Sequence, residues 1–211
     1  MECSKNKQTV AIVCGGEINN IEWLKHQLGC YNLIIAADSG YDKCVKCGIT
    51  PQLIVGDFDS VSFQIPHDIK CLTFPSRKDK TDFMLCLEYC KEQQYENVTV
   101  FGAWGGRIDH SLGAIFALLE ISKHNLYPKL VTENSTVFIV SNSCAIPKNN
   151  GYASIFALGE DAIGLTLKGF DYPLNNATLK SCSQLGVSNK IIDAVGEISL
   201  KQGKVLVVLQ D

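Results

Sequence analysis

Short apolar runs alternate with helical periodicity over the first 130 residues. The apolar runs cover 9–14, 33–37, 53–55, 70–74, 98–101 and 129–132. Apolar side chains at helical spacing follow the first, second, fourth and fifth of these runs. Buried strands that alternate with helices predict a parallel sheet with helices on its faces, so we expect a Rossmann-like α/β domain in this half of the chain.

The pattern changes after Pro128. Strand-like runs follow one another without long helices, and turn signals such as 149–151 separate them. These runs cover 137–140, 152–157, 163–167, 191–195, 197–200 and 204–209. We therefore predict two domains, the α/β domain over residues 1–131 and a small all-β sandwich over residues 132–211.

Acidic residues stand where two of the predicted strands end. Asp38 follows the run 33–37, and Asp57 and Asp59 follow the run 53–55. The carboxyl ends of parallel strands meet at one edge of a sheet, where ligands bind. Residues two apart can face the same side, so Asp57 and Asp59 can face one ion. A solvated acidic turn is the alternative for each motif alone, but together the three acids predict Mg²⁺ held against a polyphosphate.

A second acidic segment precedes the helix that begins near residue 80. Asp79 is placed to cap this helix, and Asp82 lies three residues on, so both would share one face of the first turn. Helix capping alone would also explain these two acids. Lys78, which is next to Asp79, could meet phosphate oxygens beside a metal ion.

The run 98–101 leads into a glycine-rich loop and a long helix. Gly105 and Gly106 would expose backbone N–H groups to an anion. Arg107 has the planar donor fork that suits phosphate, and Asp109 and His110 stand at the start of the helix. The sequence therefore predicts a phosphate-binding loop at the same edge as the strand-end acids.

Charge and composition exclude several other classes of protein. The net charge is −3 among 211 residues, which gives no basic surface for nucleic acid. No apolar run approaches the length of about 18 residues that a membrane span needs. The first eight residues contain no apolar signal-peptide core, so we expect a cytoplasmic protein.

The ten cysteines are scattered, and Cys44 and Cys47 form the only CxxC pair. A zinc site would need a second pair or a nearby His pair at ligand spacing, and neither is present. We interpret the cysteines as buried, reduced thiols. A non-enzymatic protein that binds metal through cysteine is the less favoured alternative.

Four motifs in order resemble those of thiamine pyrophosphokinases. They are the segments 37–40, 51–60, 78–82 and 105–110, and the late segment 186–189 matches that family as well. The resemblance implies an α/β catalytic domain that binds ATP and Mg²⁺, a β-sandwich domain, and a homodimer in which the partner's β domain completes the thiamine cleft. It implies transfer of the β,γ-diphosphate of ATP to the thiamine hydroxyl, with release of AMP.

The resemblance also assigns roles to individual residues. The expected catalytic residues are Asp57, Asp82, Arg107 and Asp109. The expected residues around the nucleotide and its cofactor are Asp38, Asp59, Lys78, Asp79, Gly105, Gly106 and His110. The expected metal ligands are Asp57, Asp59, Asp79 and Asp82, and the expected thiamine contacts are Ser188 and Asn189. Either Asp82 or Asp109 could orient or deprotonate the attacking hydroxyl.

The sequence departs from the family in one respect. Some members place a late Trp against the thiamine ring, whereas the only Trp residues here are Trp23 and Trp104. An alternative function is therefore a Mg²⁺-dependent kinase or diphosphokinase that acts on another small hydroxyl-bearing substrate.

Overall fold

The computed structural model describes residues 8–75 and 79–211. It divides into two compact units, Met1–Glu133 and Asn134–Asp211. The first unit combines helices with a parallel sheet and the second is built of antiparallel strands, so the predicted fold class is confirmed.

Across its described residues, the first unit has six strands and four α-helices. The strands are β1 (Thr9–Val13), β2 (Leu33–Ala37), β3 (Leu53–Gly56), β4 (Lys70–Thr73), β5 (Asn97–Phe101) and β6 (Lys129–Val131). The helices are α1 (Ile21–Leu28), α2 (Gly40–Lys46), α3 (Asp82–Glu92) and α4 (Ile108–Ile121), and a 3₁₀ turn, Ser122–His124, follows α4. The strands lie in the order β4-β3-β2-β1-β5-β6, and every pair is parallel.

The strand order reverses between β1 and β5. From β1 the chain adds β2, β3 and β4 on one side, and then returns to place β5 on the other side of β1. A crevice forms at such a switch point, outside the carboxyl ends of the strands, and open α/β sheets bind their ligands there. The fold therefore predicts a site at the ends of β1, β2, β3 and β5.

Helix α2 packs closely against the end of β1. A Cβ atom on Gly40 would lie 1.9 Å from the carbonyl oxygen of Val13, so only glycine allows this approach. Tyr41 and Cys44 of α2 are buried in the cluster that also includes Ala36 of β2. The apolar face of α2 thus fixes the helix directly beneath the edge of the sheet.

The second unit contains seven strands in two antiparallel sheets. They are β7 (Ser135–Val140), β8 (Ser143–Pro147), β9 (Tyr152–Ala157), β10 (Ala162–Lys168), β11 (Leu174–Leu179), β12 (Val195–Ser199) and β13 (Val205–Gln210). One sheet has the order β7-β13-β9 and the other β11-β10-β12-β8. Side chains from both sheets, including Phe138, Ile155 and Leu165, form one buried cluster, as in a β-sandwich.

Three details of the second unit differ from the sequence prediction. The run 191–195 is not a strand, because it makes only an isolated bridge at Ile191 before β12 begins at Val195. Strands β8 and β11 were not predicted. Asn176 lies in β11 with φ 47°, and the register with β10 is irregular, so this strand contains residues that are typical of a turn.

The cysteines of the described residues are free thiols. Cys44 and Cys47 of the CxxC pair are 0% and 2% exposed, and burial raises the pKa of the Cys44 thiol to about 12. A thiol with so high a pKa is a poor nucleophile and a poor metal ligand, so this pair belongs to the core. No helix in 8–75 or 79–211 is long and apolar enough to cross a membrane.

Candidate active site at the carboxyl edge of the parallel sheet

Three carboxylates meet at the predicted edge. One oxygen from each of Asp38, Asp57 and Asp59 lies within 4.8 Å of the others. Asp38 directly follows β2, and its N–H donates to the carbonyl of Val55 in β3 at 2.9 Å. A Cβ atom on Gly56 would lie 3.1 Å from the Cβ of Asp38, so glycine at the end of β3 allows the two strand ends to approach.

Asp38 is in an unfavourable environment for an ionised side chain. Its Oδ1 is buried without a hydrogen-bond partner, and its backbone is left-handed with φ 47°. Desolvation raises the pKa of this carboxyl, the N–H of Ser39 lowers it, and the charges of Asp82, Asp57 and Asp59 raise it further. A buried oxygen among like charges is stabilised by a cation, so the residue fits a metal ligand.

A turn at Phe58 brings Asp57 and Asp59 to the same side. Phe58 has φ 67°, and its side chain packs partly buried against the core of the first unit. The N–H of Asp59 donates to Oδ1 of Asp57 at 3.2 Å, and the hydroxyl of Ser60 donates to Asp59 at 3.0 Å. The two acids therefore converge through a turn at Phe58.

The carboxylates that converge are not the four expected metal ligands. Asp38, which was expected near the nucleotide, completes the group with Asp57 and Asp59. Asp82 begins α3 and is close enough for its charge to raise the pKa values of Asp38 and Cys14. Asp79 is exposed and lies before the helix. Carboxylate oxygens are the ligands that Mg²⁺ prefers, so the group of three fits this ion.

The cap of α3 corrects a sequence prediction. Thr81, not Asp79, is the N-cap, and its side chain accepts the N–H of Met84 at 3.2 Å. Asp79 and Asp82 therefore do not share the first turn of a helix. Lys78, the predicted phosphate contact between these motifs, lies outside the described residues.

The glycine-rich loop lies beside the end of β1. Gly102, Gly105 and Gly106 have φ of 70°, 94° and 68°, which favour glycine. The N–H of Gly16 donates to the carbonyl of Gly102 at 2.9 Å, and a Cβ atom on Gly16 would lie 2.3 Å from that oxygen. The loop and the turn 15–16 thus meet at the switch point of the sheet.

Arg107 and Asp109 form an exposed pair at the start of α4. Nε of Arg107 donates to Oδ1 of Asp109 at 3.1 Å, and Nη2 donates to Oδ2 at 2.6 Å. The hydrogen bond from Arg107 lowers the pKa of the Asp109 carboxyl to about 2. Exposed ion pairs contribute little to stability. His110 is exposed in the next position of the helix.

The two predicted thiamine contacts differ in their surroundings. Ser188 is exposed with φ 59°, and its N–H donates to the hydroxyl of Ser154 at 3.0 Å. Asn189 is only 3% exposed, and its amide bonds the N–H of Tyr172 at 3.0 Å and the carbonyl of Tyr172 at 2.9 Å. The side chain of Asn189 therefore holds two backbone segments together next to Ser188.

Sequence reasoning missed two side chains that contact the glycine-rich loop. The hydroxyl of Ser111 accepts the N–H of Gly105 and donates to the carbonyl of Arg107, both at 3.1 Å. Glu17 lies against Gly106, since its Oε2 is 3.5 Å from where a Cβ of that glycine would be. The spacing 107–111 is one helical turn, which could have indicated Ser111. Nothing in the local sequence indicates Glu17.

The fold and the edge residues define an α/β domain of the kind that binds phosphate groups at the ends of parallel strands. Residues 24–130 match the model of the thiamin pyrophosphokinase catalytic domain, and residues 143–205 match that of the thiamin pyrophosphokinase vitamin B1 binding domain. The chain therefore belongs to the thiamin pyrophosphokinase family.

Individual relatives agree with this assignment. Thiamine pyrophosphokinase of Bacillus subtilis is 34% identical over 209 residues, covering 95% of this chain and 98% of the relative. The crystal structure of thiamine pyrophosphokinase from Bacillus subtilis superimposes with a TM-score of 0.87 and 32% identity over 96% of this chain and 99% of that one. The crystal structure of thiamin pyrophosphokinase from Geobacillus thermodenitrificans has a TM-score of 0.81 and 25% identity, and covers 96% and 97% of the two chains.

Proposed function

We propose that the protein is a thiamine diphosphokinase that transfers the β,γ-diphosphate of ATP to the hydroxyl of thiamine and releases AMP. The match of both units to the two domains of one family is the observation on which this rests. The convergence of Asp38, Asp57 and Asp59 beside the glycine-rich loop supports it, because phosphoryl-type transfer requires alignment and neutralised charge more than covalent chemistry.

The proposal includes Mg²⁺ bound by Asp38, Asp57 and Asp59. The buried oxygen of Asp38 without a partner is the feature that fits a cation best. When bound, the ion would neutralise charge on the phosphate oxygens. Asp82, at the start of α3, is the fourth acid of the site, and Asp79 remains a proposed contact at its exposed edge.

Side chains of the protein would orient the thiamine hydroxyl and stabilise charge on the phosphates. Both carboxylate oxygens of Asp109 accept hydrogen bonds from Arg107, whereas the charge of Asp82 acts on Asp38 of the proposed metal site. We therefore favour Asp82 as the residue that orients the thiamine hydroxyl. The guanidinium of Arg107 would stabilise charge on the phosphates, together with Lys78, His110 and the N–H groups of the glycine-rich loop. Ser188 would contact thiamine.

Product analysis tests this function. We expect purified protein with ATP, thiamine and Mg²⁺ to form AMP and thiamine diphosphate in equal amounts, and chelation of the metal to stop both. A chromatographic assay of nucleotides and thiamine esters measures this. Formation of ADP would instead favour the kinase alternative, and AMP formed only with another hydroxyl compound would show a different substrate.

A homodimer is also part of the proposal. Three large apolar side chains lie one turn apart on the solvent side of α4: Ile108, Leu112 and Phe116 are 76%, 53% and 64% exposed. An exposed apolar stripe of this kind is typical of an interface. We propose that a second copy of the chain covers it.

Phe116→Glu tests the interface. A charge in the middle of a buried apolar contact carries a large desolvation cost, so we expect the variant to be monomeric at concentrations at which the wild type is dimeric. Light scattering coupled to gel filtration measures the mass. Phe63→Glu, which changes another exposed aromatic of the first unit outside α4, is the control and should leave the mass unchanged. An unchanged mass in the Phe116 variant would refute this surface.

We also propose a cytoplasmic location. Five thiols of the first unit are buried and packed as small apolar side chains: Cys14, Cys44, Cys47, Cys86 and Cys90. Free cysteines in such number suit a reducing compartment. Localisation of a tagged full-length chain tests this.

A further inference from the structure

Asp42 of α2 is a buried acid that the proposed mechanism does not use. It is 9% exposed. Its Oδ1 and Oδ2 accept the N–H of Ser62 at 3.1 and 3.0 Å, and Oδ1 also accepts the N–H of Phe63 at 3.3 Å. A buried carboxylate is costly unless hydrogen bonds compensate it, so these contacts are the reason that it can be retained there.

The neighbouring residue holds the same segment. The hydroxyl of Tyr41 donates to the carbonyl of Gln64 at 3.2 Å, and Tyr41 is 4% exposed. Two successive side chains of α2 therefore bond three successive residues, 62–64, of the connection between β3 and β4. We call residues 57–69 the acid loop, because they begin with Asp57 and Asp59.

Apolar contacts attach the acid loop to the same helix. Phe58, Val61 and Ile65 pack partly buried against the cluster that contains Tyr41 and Cys44 of α2. The apolar side chains of the loop thus join the cluster to which α2 contributes. The polar contacts of Asp42 fix the position of this loop along the helix, which the apolar contacts alone would not specify.

Helix α2 also fixes the third carboxylate. Its N-cap is Ser39, the residue directly after Asp38, and the N–H of Tyr41 donates to the carbonyl of Asp38 at 3.0 Å. One rigid element therefore bonds to Asp38 at its start and to the acid loop at its side. The helix therefore links Asp38 to the loop that carries Asp57 and Asp59, in addition to the direct bond between Asp38 and Val55 of β3.

Such a restraint is needed because the three carboxylates repel one another. Like charges within 4.8 Å move apart unless the surrounding structure holds them. A site held in place before the ion arrives binds it more tightly than one that must be assembled. We propose that Asp42 is a positioning residue that holds Asp57 and Asp59 in place for the cation, an inference that rests on the proposed metal site.

Asp42→Asn in the full chain tests this with little change in shape. The variant keeps one acceptor oxygen, but its NH₂ group would face the N–H of Ser62, so at least one hydrogen bond is lost. We expect faster hydrogen exchange at the amides of Ser62 and Phe63 in the metal-free protein. We also expect the Kd for Mn²⁺, measured by electron paramagnetic resonance without nucleotide, to rise about tenfold.

Asp68→Asn is the matched control, because it removes the same charge from an exposed position of the acid loop. It should change neither the exchange of Ser62 and Phe63 nor the Kd for Mn²⁺. An equal loss of affinity in both variants would overturn the proposal and indicate a general effect of charge. Faster exchange with an unchanged Kd in Asp42→Asn would also overturn it, since the loop would then be held for stability alone.

Tyr41→Phe keeps the proposal testable if Asp42→Asn fails to fold. It removes only the hydroxyl that bonds Gln64. We expect it to raise the exchange rate of the loop and the Kd for Mn²⁺, each by a smaller factor than Asp42→Asn does. If both the exchange rate of the loop and the Kd for Mn²⁺ stay unchanged in Tyr41→Phe, the proposal is overturned. Neither readout involves thiamine or AMP, so a failure of the proposed reaction remains distinguishable from a failure of this inference.

Discussion

Asp57→Asn is expected to lower thiamine-dependent AMP formation by at least about 100-fold at saturating Mg²⁺, which is typical for loss of a charged group at a reacting centre. The amide does not supply the negative charge that the proposed metal site requires. The fold should persist, because Asp57 is only half-buried and the Asn oxygen can still accept the N–H of Asp59. Asp59→Asn should lose activity in the same way.

Steady-state AMP formation and the melting temperature, measured on the same preparation, check this prediction. Asp68→Asn, an exposed acid in the same connection, provides the control for charge and should retain full activity. Unchanged turnover of the Asp57 variant at saturating Mg²⁺ would exclude a role for this carboxylate in binding the ion. Loss of activity together with a large fall in melting temperature would show a structural role instead.

The strand-end acids could be predicted because the physical rule behind them is local. A buried run that stops at a carboxylate, as at Asp38, places that carboxylate at the edge of the sheet whatever the rest of the chain does. The sequence could not show, however, that one oxygen of Asp38 is buried without a hydrogen-bond partner. The surroundings of Asp38 include the close approach of Gly56, which lies 18 residues away, and a left-handed backbone, and neither can be read from the local sequence.

Competition between neighbouring residues explains the wrong cap of α3. Asp79 and Thr81 are both good N-cap residues, so the propensities of the two residues do not decide between them. The structure selects Thr81, so the helix begins at Asp82. Boundaries of this kind are the least certain part of any prediction from sequence.

Other features that the sequence did not predict depend on contacts between residues that are distant in the chain. Asn189 has a polar side chain of the kind that contacts ligands. Its amide nevertheless bonds the backbone of Tyr172, which is 17 residues away. Pro147 ends β8, which is an edge strand of its sheet, and proline in a run argues against a strand unless the run lies at an edge. The local sequence pattern shows neither the hydrogen-bond partner of Asn189 nor the edge position of β8.

Asp38→Asn is expected to abolish activity and yet raise the melting temperature of the metal-free protein at neutral pH. The variant removes one of three mutually repelling charges, while its amide keeps the shape of the carboxylate. Asn adopts the left-handed backbone at this position as readily as Asp. Solvent partly screens the repulsion, so we expect a rise of only about 2 °C.

The pH dependence of stability distinguishes the loss of charge repulsion from an improvement in packing. The pKa of Asp38 is higher in the folded protein than in the unfolded chain, where it is about 3.9. The folded protein therefore binds the proton more tightly, and the free energy of unfolding of the wild type falls as the pH rises between the two pKa values. Below about pH 3.9 both proteins have an uncharged residue here, so the advantage of the variant should disappear.

Added Mg²⁺ should make the wild type melt at a higher temperature than Asp38→Asn, the reverse of the order without metal. An ion that binds only the folded state stabilises it by mass action, so added Mg²⁺ should raise the melting temperature of the wild type and leave the variant nearly unchanged. Thermal unfolding at pH 3.5 and pH 7.5, with Mg²⁺ and with a chelator, measures each effect. A variant that is less stable than the wild type at pH 7.5 without metal would contradict the account of Asp38 as a carboxylate whose charge the fold tolerates only for a cation.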